Sequence, residues 1–162
     1  RESKGHLYEG GIRVPMIVHW PGKVKPGTLC DTPVISMDFY PTFLELAGLK
    51  SGKQPIDGES LVQLFKQRGE LKRKAIYFHY PNYAWHMGNR LGSVIREGDW
   101  KLIRYYDDNS LELYNLPRDL SEKKNVAEQN AKLAARLNRK LGDWLKETGA
   151  PMPRAPKSVK AH

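Results

Sequence analysis

The sequence is poor in cysteine. Its 162 residues contain one, Cys30, which excludes an internal disulfide and a multi-cysteine zinc site. No apolar run approaches the roughly 20 residues that a bilayer-crossing helix needs, so a transmembrane helix is excluded. There is no Gly-X-Y period, no heptad array and no repeat of solenoid length, which sets fibrous and repeat architectures aside. Gly-x-Ser-x-Gly, Walker A, His-Glu-x-x-His and EF-hand patterns are all missing, so no local motif announces a nucleophile, a nucleotide or a metal. The first residue is Arg1, not Met, and no charged-then-apolar leader follows it. The sequence therefore reads as a portion of a longer polypeptide, and no targeting signal is legible in it.

What is present is an excess of positive charge. Lys and Arg number 27 against 18 Asp and Glu, a formal net charge of +9. A basic chain attracts anions: nucleic acids, sulfated or phosphorylated substrates, acidic glycans. The excess is spread over the first 30 residues, residues 62–75 and the tail. That distribution favours a generally basic surface over a nucleic-acid track.

Along the chain, a polar and glycine-rich loop runs from Ser3 to Gly11. The apolar, β-prone run Arg13 to Trp20, stopped by Pro21-Gly22, predicts a buried strand. Asp38 then stands as an N-cap, with Pro41 in the first turn and Gly48 as the C-terminal stop of a helix. Phe39, Phe43, Leu46 and Ala47 share one face of it. Asp57-Gly58 signals a turn, and Ser60 caps a short helix through Leu61, Leu64 and Phe65. The polar stretch 66–74 marks a boundary.

Beyond it the pattern changes. Ala75–Tyr80 is strand-like. Ser93–Arg96 and Trp100–Tyr106 flank Glu97-Gly98-Asp99, a hairpin signature. After Asp107–Ser110, the segment Leu111–Leu116 alternates like a third strand of a meander. Asn125 followed by Glu128 is a capping-box pattern. From there Val126, Leu133, Leu137, Leu141, Trp144 and Leu145 make an apolar stripe at helical spacing, suited to covering one face of the sheet. Pro151 to His162 is proline-rich and basic, and is expected to be poorly ordered.

Two segments have a composition that could bind something. The opening loop places Lys4, His6, Glu9 and Arg13 among Gly5, Gly10 and Gly11. Glycines permit close backbone approach, and a lysine offers a point charge to an oxyanion. The same residues also suit a tight loop with an internal Glu9–Arg13 pair. The 79–90 loop carries His79, Tyr80, Tyr83, Trp85, His86 and Arg90, which fit either the rim of a carbohydrate or anion pocket or ordinary packing at a sheet end. No carboxylate pair has the arrangement of a general acid and base. Cys30 has no neighbouring base and reads as incidental.

Collinear motifs then resemble a family. Lys4-Gly5-His6-Leu7-Tyr8-Glu9-Gly10-Gly11-Ile12-Arg13-Val14-Pro15, followed by Trp20-Pro21-Gly22, resembles a signature late in the large domain of type I (formylglycine-dependent) sulfatases. Asp38 to Gly48 resembles their next helix, and Asp57-Gly58-Glu59-Ser60-Leu61 their Asp-Gly-x-Ser-Leu turn. Arg96–Ile103, Glu112–Leu116 and Asp119–Asn125 resemble their C-terminal hairpin and cap. The resemblance implies an α/β fold: the end of an alkaline-phosphatase-like α/β domain over residues 1–70, then over 71–150 a small subdomain of four antiparallel strands packed against a long C-terminal helix, then the tail 151–162.

The same resemblance implies hydrolysis of sulfate esters, of arylsulfatase or sulfated-glycan type, in an extracytoplasmic setting (periplasmic, secreted or lysosomal), with no nucleic-acid or membrane partner. In that family a formylglycine made within Cys/Ser-x-Pro-x-Arg is the nucleophile and calcium polarises the sulfate, which suits charge development at an ester oxygen. Neither the nucleophile motif nor the calcium-binding acidic pairs occur in this sequence. No metal ligand is assigned and no cofactor is expected within this chain; calcium and formylglycine are implied for the full-length protein. Lys4 matches the catalytic lysine that contacts a sulfate oxygen. His79 and His86 fall where related sequences carry a His-Tyr-Pro-x-Tyr loop facing the substrate. Glu9, Gly10, Gly11 and Arg13 match a structural motif. The expectation is a sulfatase portion that is inactive alone. The alternatives are another hydrolase of the superfamily, acting on phosphodiesters or phosphonates, and a non-catalytic module that binds anions or glycans.

Overall fold

The computed structural model describes residues 1–82 and 88–154. The chain forms two compact units: Arg1–Val14 together with the chain from Ala75 onward, and Pro15–Lys74. Among the described residues no helix is long and apolar enough to cross a membrane.

The first unit is built on a four-stranded antiparallel sheet. Strands β1 (Ala75–Tyr80), β2 (Gly92–Glu97), β3 (Trp100–Tyr105) and β4 (Leu111–Asn115) lie in the order of the chain. The register aligns Tyr77 with Ile95, Ile95 with Leu102, and Leu102 with Leu113. Because side chains alternate along a strand, these four form one face. The opposite face carries Val94, Ile103 and Tyr114. The β2–β3 hairpin closes in two residues, with Gly98 at φ +56°, a conformation that a side chain disfavours.

Helix α4 (Ala131–Glu147) covers the first face with Ala134, Leu137, Leu141 and Leu145. Leu137 and Leu141 are fully buried, each contributing about 1.5–3 kcal/mol on leaving water. Tyr77 and Trp144 stack with centroids 4.7 Å apart. Glu97 ties the hairpin to α4 by ion pairs with Arg136 and Lys140. The second face is covered by the opening segment through Leu7 and Tyr8, with Leu116.

The helix begins later than its capping-box pattern predicts. Asn125 caps no helix: its side-chain oxygen accepts the N–H of Leu113 at 3.0 Å and that of Ala127 at 3.0 Å. The unpaired side of β4 competes for the same acceptor, and the chain turns until Asn130 before α4 starts. The tail beyond Arg154, for which disorder was expected, lies outside the described residues.

The second unit contains a 3-10 turn (Ser36–Asp38), α2 (Phe39–Leu46) and α3 (Val62–Phe65), with no strand among the described residues. The strand expected over 13–20 is irregular instead, with Val14 and Ile17 exposed at 81% and 91%. A strand needs a neighbour to take its backbone hydrogen bonds, and among the described residues none pairs with it. On α2, Phe39 and Phe43 do share a face and stack at 6.2 Å, and that face is open to solvent. Asp38 also departs from its expected role. It has helical backbone angles and makes no side-chain cap bond. Its buried carboxylate accepts the N–H groups of Ile35 at 2.9 Å and Glu59 at 3.0 Å, and pairs with both terminal nitrogens of Arg73. Glu59 accepts in turn from the N–H groups of Lys72 and Arg73, each at 2.6 Å. Ser60 does not take the N-cap position of α3, which falls on Leu61 without a side-chain cap bond; from one residue further back its hydroxyl accepts from Val62 N–H at 3.3 Å.

Leu141→Ala should lower unfolding stability by about 2–5 kcal/mol, read by chemical denaturation; a change below the noise would mean that the α4 face is not the core of the first unit. A second outcome concerns acid. Burial raises the Asp38 carboxyl pKa, but Arg73 and the two backbone N–H groups outweigh it and hold it below the usual carboxylate range. A depressed folded-state pKa gives stability that is present in full above about pH 4 and is lost as pH falls through the folded value. Thermal midpoints measured from pH 7 to 3 should fall more steeply for the native sequence than for Asp38→Asn, which should itself be about 3–5 kcal/mol less stable at pH 7.

Candidate functional site

The opening loop is held in place along most of its length. Gly5 has φ +93°, which lets the chain reverse at Lys4-Gly5. His6 N–H donates to Ser3 O at 3.2 Å, and Gly10 N–H to Arg1 O at 3.2 Å. The buried Asn89 side chain donates to the Gly5 carbonyl. A short helix, α1 (Glu9–Ile12), follows. Its two glycines press on the loop: a Cβ on Gly10 would overlap the Glu2 carbonyl oxygen, and one on Gly11 would overlap that of His6. Lys4 itself is exposed and, among the described residues, has no ion pair.

Beneath α1 lies a buried ion cluster. Lys101 Nζ, on β3, is 2.7 Å from Glu122 Oε1 and 3.0 Å from Glu9 Oε1. The Glu9 backbone N–H donates to Glu122 Oε2 at 2.6 Å. Lys101 and Glu122 are fully buried and Glu9 nearly so. The Glu9–Arg13 pair expected from the sequence forms as well, at 3.6 Å with Arg13 half exposed, so it is the weaker contact. Lys101 had a legible signal, because it alternates in register with Ile103 and Tyr105 and so must point to their side of the sheet. Glu122, within Ser121-Glu122-Lys123, had none.

Next to the loop is a cavity of about 150 Å³ lined by Arg1, His6, Tyr8, Arg90, Tyr105 and Glu112. Its polar groups are largely committed. Tyr8 and Tyr114 hydroxyls both donate to Glu112 Oε2 at 2.8 Å. Arg90 lies over the Tyr105 ring at 3.7 Å and pairs with Asp107 and Asp108 at 2.7 Å. Burial, then the neighbouring Tyr8 and Glu112, push the Tyr105 hydroxyl pKa up, so it stays protonated.

His79 sits near the end of β1, with both ring nitrogens engaged. Nδ1 is 2.7 Å from Ser93 Oγ and 3.2 Å from the Tyr106 hydroxyl, and Nε2 is 2.7 Å from the Pro151 carbonyl. Ser93 and Tyr106 oxygens are 2.6 Å apart. A carbonyl oxygen can only accept, so Nε2 carries the proton and Nδ1 of the neutral ring accepts. The partners of His79 thus are Ser93 on β2, Tyr106 just after β3 and Pro151 after α4, whereas the opening loop is held by its own residues together with Asn89, Lys101, Glu112 and Glu122. His86, with Tyr83 and Trp85, lies outside the described residues. Cys30 is exposed and unpaired. Among the described residues no three His, Cys, Asp or Glu side chains converge in a way that would hold a metal ion, so this chain's described residues do not fit the implied calcium.

Residues 3–148 match the family described as N-sulphoglucosamine sulphohydrolase, C-terminal. The chain belongs to the sulfatase family. It is a C-terminal portion of that family's alkaline-phosphatase-like fold. A sulfatase of Formosa agariphila is 38% identical over 93% of this chain and 30% of its own length. The N-acetylglucosamine-6-O-sulfatase of Bacteroides thetaiotaomicron is 33% identical over 76% of this chain and 23% of its own length. The crystal structure of Ps i-CgsB in complex with k-i-k-neocarrahexaose superposes with a TM-score of 0.68 at 33% identity, over 84% of this chain and 29% of that one. The chain thus spans about a third or less of these relatives.

The ring-nitrogen assignment is directly checkable. The ¹⁵N shifts of His79 in the neutral form should show a protonated Nε2 and an unprotonated Nδ1. The opposite tautomer would mean that the Pro151 carbonyl does not accept from this ring.

Proposed function

We propose that this chain is the C-terminal portion of a sulfuric ester hydrolase that cleaves the sulfate ester of a sulfated glycan or small molecule, and that Lys4 supplies a fixed positive charge to a sulfate oxygen. The observation that carries this reading is the Lys4 loop: an exposed ammonium with no ion pair among the described residues, on a backbone that is clamped on both sides, in a chain of the sulfatase family. Cleavage of a sulfate ester builds negative charge on the leaving and non-bridging oxygens. A cation already in position stabilises that charge without reorganising during the reaction. Lysine suits the task as a compact point charge. His79 and His86 are assigned to the substrate side, and for His79 this requires its bond to Pro151 to give way when a ligand is bound.

The reaction also needs a nucleophile and, by resemblance, calcium. This sequence contains no formylglycine precursor motif and its described residues offer no fitting donor set, so both are assigned to the remainder of the protein, and these residues alone are expected to be inactive. The sulfated-sugar relative supports a sulfated substrate, and the family resemblance supports an extracytoplasmic location.

The test is hydrolysis of an aryl sulfate, with an aryl phosphonate as competitor substrate. The full-length protein should release sulfate, the 162-residue chain should not, and Lys4→Ala in the full-length protein should lower kcat by about 10²–10³-fold. Turnover by the short chain, or a preference for the phosphonate, would overturn the assignment.

A further inference from the structure

We propose that Lys101 and Glu122 are positioning residues for Lys4, acting through Glu9 and the Gly10-Gly11 turn. This rests on the reading of Lys4 as the cation that meets the sulfate. The connection is a continuous chain of contacts. Lys101 and Glu122 fix Glu9 at two points, its carboxylate and its backbone N–H. Glu9 opens α1, so fixing it fixes the two glycines that follow. Those glycines lie against the carbonyls of Glu2 and His6, which bracket Lys4 on either side. The Gly10 N–H also holds the Arg1 carbonyl, and the Asn89 side chain holds that of Gly5. A displacement of Glu9 has no slack to absorb it before it reaches Lys4, because each step is already at van der Waals or hydrogen-bond contact.

The chemistry of the cluster points the same way. Two carboxylates and one ammonium in a dry interior carry a desolvation cost that an apolar trio of equal volume would avoid. Apolar packing resists sliding poorly. Charge-assisted bonds fix direction as well as distance. The loop needs this, because a misplacement of about 1 Å in a reacting group can cost on the order of 10²-fold in rate.

The experiment measures kcat and KM for an aryl sulfate on the full-length protein with Glu122→Gln, Lys101→Met and Lys4→Ala, singly and as Lys4→Ala/Glu122→Gln. Lys101→Met leaves two buried carboxylates facing each other and can fail to fold. Glu122→Gln keeps an acceptor for the Glu9 N–H and is the decisive variant. Glu122→Gln should lower kcat by about 10- to 100-fold, with KM changed less than about threefold, the pattern of an interaction felt in the transition state. In the Lys4→Ala background the same substitution should change kcat less than about twofold, since residues acting through one group are not additive. A full multiplicative loss in that background would show a merely structural role and overturn the proposal. A native kcat for Glu122→Gln alongside an impaired Lys4→Ala would overturn the positioning role and leave the reading of Lys4 standing. A native kcat for Lys4→Ala would overturn both.

Discussion

The buried contact among Lys101, Glu122 and Glu9 is the constraint on which the first unit depends. It joins three segments far apart in the chain: the opening loop, the third strand and the turn before α4. Apolar packing alone would let the opening segment lie on the sheet in more than one register, since Leu7 and Tyr8 meet a broad face of Val94, Ile103 and Tyr114. One ammonium between two carboxylates admits a single arrangement, because any other leaves a charge buried without a partner, at a cost of about 3–5 kcal/mol. The contact therefore selects a geometry more than it adds stability. The second unit uses the same device. Asp38 and Arg73 pair bidentately in its interior, and the Asp38 carboxylate also gathers backbone N–H groups from two separate segments.

The two faces of the sheet divide the work. One is apolar and closed by α4, where Leu137, Leu141 and Leu145 repeat on a helical face opposite Ile95, Leu102 and Leu113. The other bears the opening loop and mixes apolar with polar contacts: Tyr8 and Tyr114 sharing Glu112, Lys101 between its carboxylates. A face that must hold a loop in one place needs directional bonds, and hydrophobic burial is not directional. The polar groups lie where the candidate site is, and the plain core lies behind it.

Much of the first unit was legible in the sequence because its signals are local. Alternation over 75–80, 93–96, 100–106 and 111–116, with turn residues between, specifies a meander, and the leucine stripe specifies its cover. What was not legible depends on partners distant in the chain. Asn125 looked like a helix cap until β4 supplied a competing N–H, and Asp38 looked like one until Arg73 arrived from 35 residues away. The apolar run 13–20 has a strand's composition, but a strand is a property of a pair, and no second member pairs with it among the described residues. In the site, the Glu9–Arg13 pair was visible at helical spacing and proved secondary. Lys101 left a trace in its inward strand position, and Glu122 left none.

The net charge of +9 and the single ammonium of Lys4 do different things. A spread of surface cations raises the local concentration of anions and speeds encounter, and salt screens it within about 8–10 Å. It cannot discriminate one oxyanion geometry from another. Discrimination and rate both need a charge whose position is known to a fraction of an ångström, and an exposed lysine with four rotatable carbons does not provide this by itself. The backbone has to be rigid so that side-chain freedom is the one variable left for the substrate to settle. On the proposed reading of Lys4, that rigidity would come from residues of the opposite charge: Glu9 and Glu122 pair with the buried Lys101, and the loop that carries the exposed lysine is tied to them.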